Sequence, residues 1–334
     1  MKIANAYLMK EININHVRQV MKRVETATKP QLASLTKLSV VTVNSLVKEL
    51  CELGELFEDE TVPSNGGRPA LTYRYNYDFS LALVMYINEK QGQDLITATV
   101  INLEDNMVFR EEYTMPAFDQ KYFYEIIGNV LTQHASIKVI GIGIPGQTVN
   151  GEITVSSHRQ LEGVRMIEDL EAQFGLPVLV ENDVNAAISG YCAKKELDED
   201  QCVIGIYFPT KYPPGMGIYL DGKVIKGKLG MAGEVKYLPM GIDWYNSVEK
   251  EAFIATVCKM IQTVNAILAP DQVIIYQNMV EEDALVQAWQ MYQADLSMPS
   301  YPDVNLIDSF REDFEAGMRW LTLKALEPDL VQFN

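Results

Sequence analysis

Cysteine is scarce and scattered. Four residues in 334, Cys51, Cys192, Cys202 and Cys258, stand far apart with no CxxC pair. That argues against a disulfide framework or a cysteine zinc site and points to buried, reduced thiols in a cytoplasmic protein. Histidine is scarcer: His16, His134 and His158 show no metal-ligand spacing. No apolar run approaches membrane-spanning length, Met1 to Asn15 has no signal-peptide core, and no repeat or low-complexity linker is visible. No membrane contact is therefore expected. Positive charge is also short. Lys and Arg number 28 against 45 Asp and Glu, a net −17 that as an average speaks against nucleic acid.

The average hides a division. Residues 1–77 hold 10 Lys/Arg and 8 Asp/Glu, a balance of +2, whereas the remainder holds 18 and 37, a balance of −19. The first segment is the part that phosphate does not repel, and an acidic remainder limits non-specific DNA affinity. The length suits two or three domains.

Residues 29–75 predict a helix, a short turn, a second helix and a hairpin. In VVTVNSLVKEL, Val43, Leu46, Val47 and Leu50 recur at i, i+3, i+4 and i+7, which gives one apolar helical face. Thr42, Asn44, Ser45 and Lys48 fall on the other faces. Pro30 suits a first helical turn and Ser39 a helix cap. A polar helix start able to enter the major groove is what a helix-turn-helix requires. The DNA-contact candidates are Lys37, Ser39, Val41, Thr42, Asn44, Ser45 and Lys48. Beyond Gly54 the pattern is strand, turn at Ser64-Asn65-Gly66-Gly67, then strand through Leu71-Thr72-Tyr73, a wing. Its Arg68 is placed for phosphate or a narrow minor groove. A small helical domain that binds protein is the plainer alternative.

Residues 80–113 read as a strand meander, and 119–134 as a helix. IKVIGIGIPG (137–146) and LPVLVEND (176–183) read as buried strands, with an amphipathic helix between them stopped by Gly175. VNAAISGYCAKKE (184–196) is a helix, and 202–208, 217–227 and 272–277 add strands. Apolar strands alternating with amphipathic helices indicate α/β architecture. Ligands of such sheets sit at strand carboxyl ends, here Gly143–Gly146 and Glu181–Asp183. Asp183 either faces a cleft or caps the helix that follows. Glu234, in GKLGMAGEVKYLP, lies on a glycine-rich turn that admits close backbone approach. Two carboxylates and an Asn on separate loops suit a polyol, whose hydroxyls donate to carboxylates and accept from amides.

Together LASLTKLSVVTVNSLVKELCELGEL, GGRPA, GIGIPG, GLPVLVENDVNAA and DGKVIKGKLGMAGE resemble the ROK family of repressors, open reading frames and sugar kinases. The resemblance spans nearly the whole chain and resides in the ordered combination. It implies a winged helix-turn-helix (1–77) ahead of a two-lobed, actin/hexokinase-like, ribonuclease H-like core (78–334) with the sugar between lobes. By motif, Asn182 and Asp183 match the pair that binds sugar hydroxyls, the aspartate also being the catalytic base of family kinases. Glu234 matches the glutamate of the AGExGH motif, and Gly146 the loop lining the sugar.

The departures are specific. Where family kinases have a DxGGT phosphate loop, this chain has YINEKQGQD (86–94), with Asn88, Glu89 and Lys90 in place of the aspartate and glycines. The GTGxG-type loop corresponds to FPTKYPPGMG (208–217), whose prolines remove amide donors. The late glycine pair matches IIYQNMV and is absent. Tyr237 stands where the metal-binding His belongs, and no CxCGxxGC follows, so neither a structural zinc nor any cofactor is expected. Tyr237 either donates to a ligand or packs as core, and Glu249 is a candidate for a second family glutamate. The expectation is a sugar-responsive transcriptional regulator, most simply a repressor of carbohydrate metabolism, that binds a palindromic operator as a homodimer or tetramer and has no kinase activity. The alternatives are an active ATP-dependent sugar kinase, or a regulator whose core binds a protein partner.

Overall fold

A computed structural model describes residues 2–63, 69–90, 93–156, 159–246, 248–296 and 298–326, with the backbone alone at 2–7, 89, 90, 155 and 159. The Ser64–Gly67 turn, Arg68 and His158 lie outside the described residues.

Helix α1 (Lys2–Val24) buries Ile14, Val17 and Met21, spaced three and four apart, against α2 (Lys29–Thr36) and α3 (Val40–Glu52). This first helix was not legible beforehand. Thr28 caps α2 in a reciprocal box: its hydroxyl accepts from Gln31 N, and the Gln31 side chain accepts from Thr28 N at 2.8 Å. Lys37 ends α2 in the left-handed region at φ 57°, and two residues later Ser39 caps α3. Val43, Leu46, Val47 and Leu50 are buried, as their spacing requires. Strands β1 (Thr26–Thr28), β2 (Leu56–Val62) and β3 (Ala70–Tyr75) form an antiparallel sheet in the order β1-β3-β2.

The rest of the chain contains two five-stranded sheets. The first comprises β4 (Leu81–Lys90), β5 (Gln93–Ile101), β6 (Met107–Met115), β7 (Ile137–Ile144) and, after the β8 (Gly146–Val149)–β9 (Glu152–Ser156) hairpin, β10 (Val178–Asn182). Helix α4 (Gln120–Gln133) precedes β7, α5 (Met166–Phe174) precedes β10, and α6 (Asp183–Lys194) follows it. The second comprises β11 (Val203–Tyr207), β12 (Gly215–Leu220), β13 (Lys223–Val224), β14 (Gln272–Tyr276) and β15 (Asp303–Ile307). Here α7 (Lys250–Leu268), α8 (Glu282–Ala294) and α9 (Phe310–Lys324) occupy the corresponding places. The strand orders, β6-β5-β4-β7-β10 and β13-β12-β11-β14-β15, are the same, as are the pairing senses. The lobes therefore repeat one topology, although no repeat is visible in the sequence.

Helices α6 and α9 leave the last strand of each sheet and cross in the core between the lobes. Their approach depends on two glycines. A Cβ on Gly317 would stand 1.7 Å from Ala186 O, and one on Gly190 2.0 Å from Asp313 O. Helix α7, of 19 residues, is long and apolar enough in composition to cross a membrane. Lys250, Glu251 and Lys259 interrupt it as a run, but Phe253, Val257, Met260, Ile261 and Val264 are buried in the second lobe's core. Cys192, Cys202 and Cys258 are buried free thiols, as expected; Cys51 is half-buried.

Candidate functional site

Strands β7 and β10 run parallel, with Asn182 opposite Ile144, so Pro145–Gly146 and Glu181–Asp183 emerge side by side. Asn182, not Asp183, caps α6. Its Oδ1 accepts from Val184 N at 3.0 Å and Asn185 N at 3.1 Å. Its Nδ2 donates to Gly146 O and to Asp183 Oδ1, both at 3.0 Å. A carboxamide has two acceptor and two donor positions, so Asn182 is fully used in holding the loop and aiming Asp183. Asp183 opens the helix, and Oδ1 also accepts from Val184 N at 2.9 Å. Burial, reinforced by the charge of Glu234, pushes its carboxyl up to about 7 against these donors. Tyr207 lies close enough that burial and then the Asp183 charge push its hydroxyl up to about 12. Its ring stacks on Phe310 at 3.6 Å.

The second lobe supplies Glu234 through a glycine-shaped loop. Gly233 has φ +90°, and a Cβ there would fall 1.8 Å from Met216 O, so no other residue fits without moving the strand. Lys236 lies 3.2 Å from the Glu234 carboxylate. Lys226, earlier on the loop, reaches across to buried Glu181 at 2.9 Å. Glu181 also accepts from Asn182 N and Asn185 Nδ2. Gly230 sits against Thr148 and Gln147 of β8. The fold brings Gly146, Asn182, Asp183 and Glu234 together beside Glu181, and Lys226, Lys236 and Tyr207 join them without having been singled out from the sequence. The Lys226–Glu181 pair joins distant segments, and spacing does not reveal it. Tyr237 is 69% exposed, with Lys236 over its ring, so it does not pack as core. Glu249 is exposed at the start of α7. Among the described residues no side-chain hydrogen bond joins Tyr237 or Glu249 to Asn182, Asp183 or Glu234.

Three segments are the ones the sequence suggests as counterparts of the phosphate loops of family kinases. Strand β4 pairs with β5 out to Lys90↔Gln93, so Asn88, Glu89 and Lys90 continue a hairpin ladder. Pro209, Pro213 and Pro214 interrupt the segment between β11 and β12. After β14, the Gln277 carboxamide oxygen accepts from Met279 N at 2.8 Å and Val280 N at 3.0 Å. Those amides are already satisfied.

On α3, Val41, Asn44, Ser45 and Lys48 form an exposed stripe opposite the buried face. The hydroxyls of Ser39 and Thr42 bond each other at 2.8 Å while Ser39 caps the helix. Lys37 is exposed, and Lys48 lies 3.7 Å from Glu52.

Two lobes of repeated topology that meet at α6 and α9, with carboxylates from both near that meeting, define an actin/hexokinase-like fold. Residues 90–251 match the ROK family model. It is 26% identical over 245 residues to a xylose repressor of Caldicellulosiruptor bescii, covering 70% of this chain and 60% of that one. It is 24% identical over 258 residues to the DNA-binding transcriptional dual regulator NagC of Escherichia coli, covering 72% and 61%. The chain thus spans about 60% of the length of these curated relatives. A solved ROK family transcriptional regulator, a homologue of the E. coli MLC protein, superposes with TM-score 0.61 at 15% identity over 94% of this chain and 99% of its own. A kinase of N-acetyl-D-glucosamine is also among the similar proteins.

Proposed function

We propose that the chain is a sequence-specific DNA-binding transcriptional regulator, a cytoplasmic repressor of carbohydrate metabolism controlled by a sugar or sugar derivative. The observation that carries this reading is one chain that combines the exposed α3 stripe with a cleft in which Asp183 is held beside Glu234. Residues 1–77 are the winged helix-turn-helix, with β2 and β3 as the wing; residues 78–334 are the effector domain. Sugar hydroxyls donate to Asp183 and Glu234 while Asn182 and Gly146 fix Asp183. Tyr237 and Glu249 reach a ligand only by movement of the loops that carry them. A ligand that bridges the lobes changes DNA affinity through its different affinity for the open and closed forms. A homodimer or tetramer sets two α3 helices in successive major grooves of a palindromic operator.

Sugar phosphorylation is the second reading, favoured by a carboxyl near pH 7, which suits a general base. Against it stand the β4–β5 ladder, the prolines after β11 and the occupied amides after β14 (phosphoryl transfer needs groups that hold and neutralise phosphate). One experiment tests both. Thermal unfolding is followed with a panel of sugars, sugar phosphates and Mg-ATP, then repeated with DNA fragments selected by the protein. A sugar-induced shift and a sugar-dependent loss of DNA binding support regulation; ATP-dependent product formation, lost in Asp183→Asn, establishes the kinase instead.

A further inference from the structure

The exposed stripe of α3 changes chemistry along its length. At the first turn Val41 is 80% exposed and Val40 51%, two apolar side chains with no place in the core. Asn44 and Ser45 follow one turn later. At the far end the helix carries Glu49 and Glu52, the first paired with Lys10 at 2.8 Å and the second 3.7 Å from Lys48. Those carboxylates repel phosphate, so the first half of the helix must go deepest into a groove. Ser39 and Thr42 are occupied with each other and with the cap. The groups left to meet base edges are therefore Val41, Asn44 and Ser45.

In the major groove one apolar feature distinguishes a base, the C5-methyl of thymine, and a carboxamide matches the N6/N7 edge of adenine. Val41 and Asn44 are three residues apart, about 4.5 Å along the axis, close to the rise between successive base pairs. We infer that α3 reads adjacent A·T pairs in each half-site, Val41 packing on a thymine methyl and Asn44 pairing with an adenine. Val41 is then a specificity-determining residue. This rests on the DNA-binding reading above.

Random-sequence duplexes selected with the full-length protein supply the probe. In the selected duplex each thymine is replaced in turn by uracil, which removes the methyl group alone, and the complexes are titrated with wild type, Val41→Ala and Asn44→Ala. One thymine per half-site should weaken wild-type binding about fourfold on conversion to uracil, the effect of one buried methyl group. Val41→Ala should bind thymine and uracil duplexes equally, with unchanged melting temperature because the side chain is exposed. Asn44→Ala should lose its preference at the neighbouring adenine. Enriched sequences that are insensitive to uracil at every position, or a Val41→Ala protein that still discriminates, overturn the inference and leave DNA binding intact. Failure to enrich any sequence overturns the DNA-binding reading and the inference with it.

Discussion

Lys226 Nζ sits 2.9 Å from Glu181 Oε2, joining the loop after β13 in one lobe to the end of β10 in the other. The pair is asymmetric: the Glu181 side chain is 6% exposed and the lysine 51%. Replacing Lys226 by Met strands a buried carboxylate that, among the described residues, keeps its bonds from Asn182 N and Asn185 Nδ2. The half-exposed lysine holds the loss to about 1–2 kcal/mol, below the cost of breaking a fully buried pair. Adding Glu181→Gln should recover most of it, since an amide carries no charge to desolvate. Denaturant unfolding of the single and double variants measures the coupling, and additive losses would show that the ion pair is incidental.

Asp183 imposes a pH dependence of defined sign. Its carboxyl is pushed up to about 7 in the folded chain, chiefly by burial, against about 3.9 when unfolded. Between those values the folded state binds the extra proton. This residue's contribution is therefore fully favourable below about pH 4 and is lost as pH rises to about 7. The total is up to roughly 4 kcal/mol. Asp183→Asn keeps an acceptor for Val184 N and removes the titration. It should match wild type near pH 4 and exceed it in stability at pH 8. A flat difference between pH 5 and 8 would contradict the burial of this carboxylate. Sugar binding should strengthen over the same rise, because hydroxyls donate best to the ionised form.

What was legible beforehand follows the range of the interaction. The face of α3 repeats within one helix, and Val43, Leu46, Val47 and Leu50 announce it. The segments holding Asn182, Asp183 and Glu234 match a family pattern, so the sequence offers these three as site candidates. Lys226, the ion-pair partner of Glu181, is not legible there, because it lies 45 positions away in the chain and its partner is fixed by how the lobes meet. Helix α1 escaped because Ile14, Val17 and Met21 are spread among polar residues. The repeated topology escaped for a different reason: strand order constrains pairing and burial, which many sequences satisfy. The sequence offers Asp183 as a possible cap of the following helix, whereas Asn182 performs the capping. Only the α6 hydrogen bonds distinguish the two.

Glycine substitutions separate contact from conformation. Gly317→Ala puts a Cβ 1.7 Å from Ala186 O, and backbone cannot yield as a flexible side chain can. Helices α6 and α9 must part, at a cost of about 2–4 kcal/mol and with effects on both lobes. Gly128, also helical, meets nothing nearer than Phe174 at 3.5 Å. Gly128→Ala should stabilise α4 by about 0.5–1 kcal/mol through helix propensity. Melting temperatures of the two variants should move in opposite directions. A neutral Gly317→Ala would mean that the helix crossing is looser than described.

The nucleotide side gives the last test. A phosphate needs unsatisfied amide donors, yet Gln277 accepts from Met279 N and Val280 N and donates to Val280 O at 2.9 Å. Mg-ATP at millimolar concentration should leave the melting temperature unchanged, whereas a ligand at 100 times its Kd adds about 2.7 kcal/mol of stability. Gln277→Ala frees both amides and should cost about 1–3 kcal/mol through lost hydrogen bonds. It should still show no nucleotide shift, because Pro213 and Pro214 and the ladder through Lys90 remain. A shift that appears only in Gln277→Ala would make this carboxamide the sole block. A shift in the wild type would restore the kinase reading, with Asp183 as its proposed base.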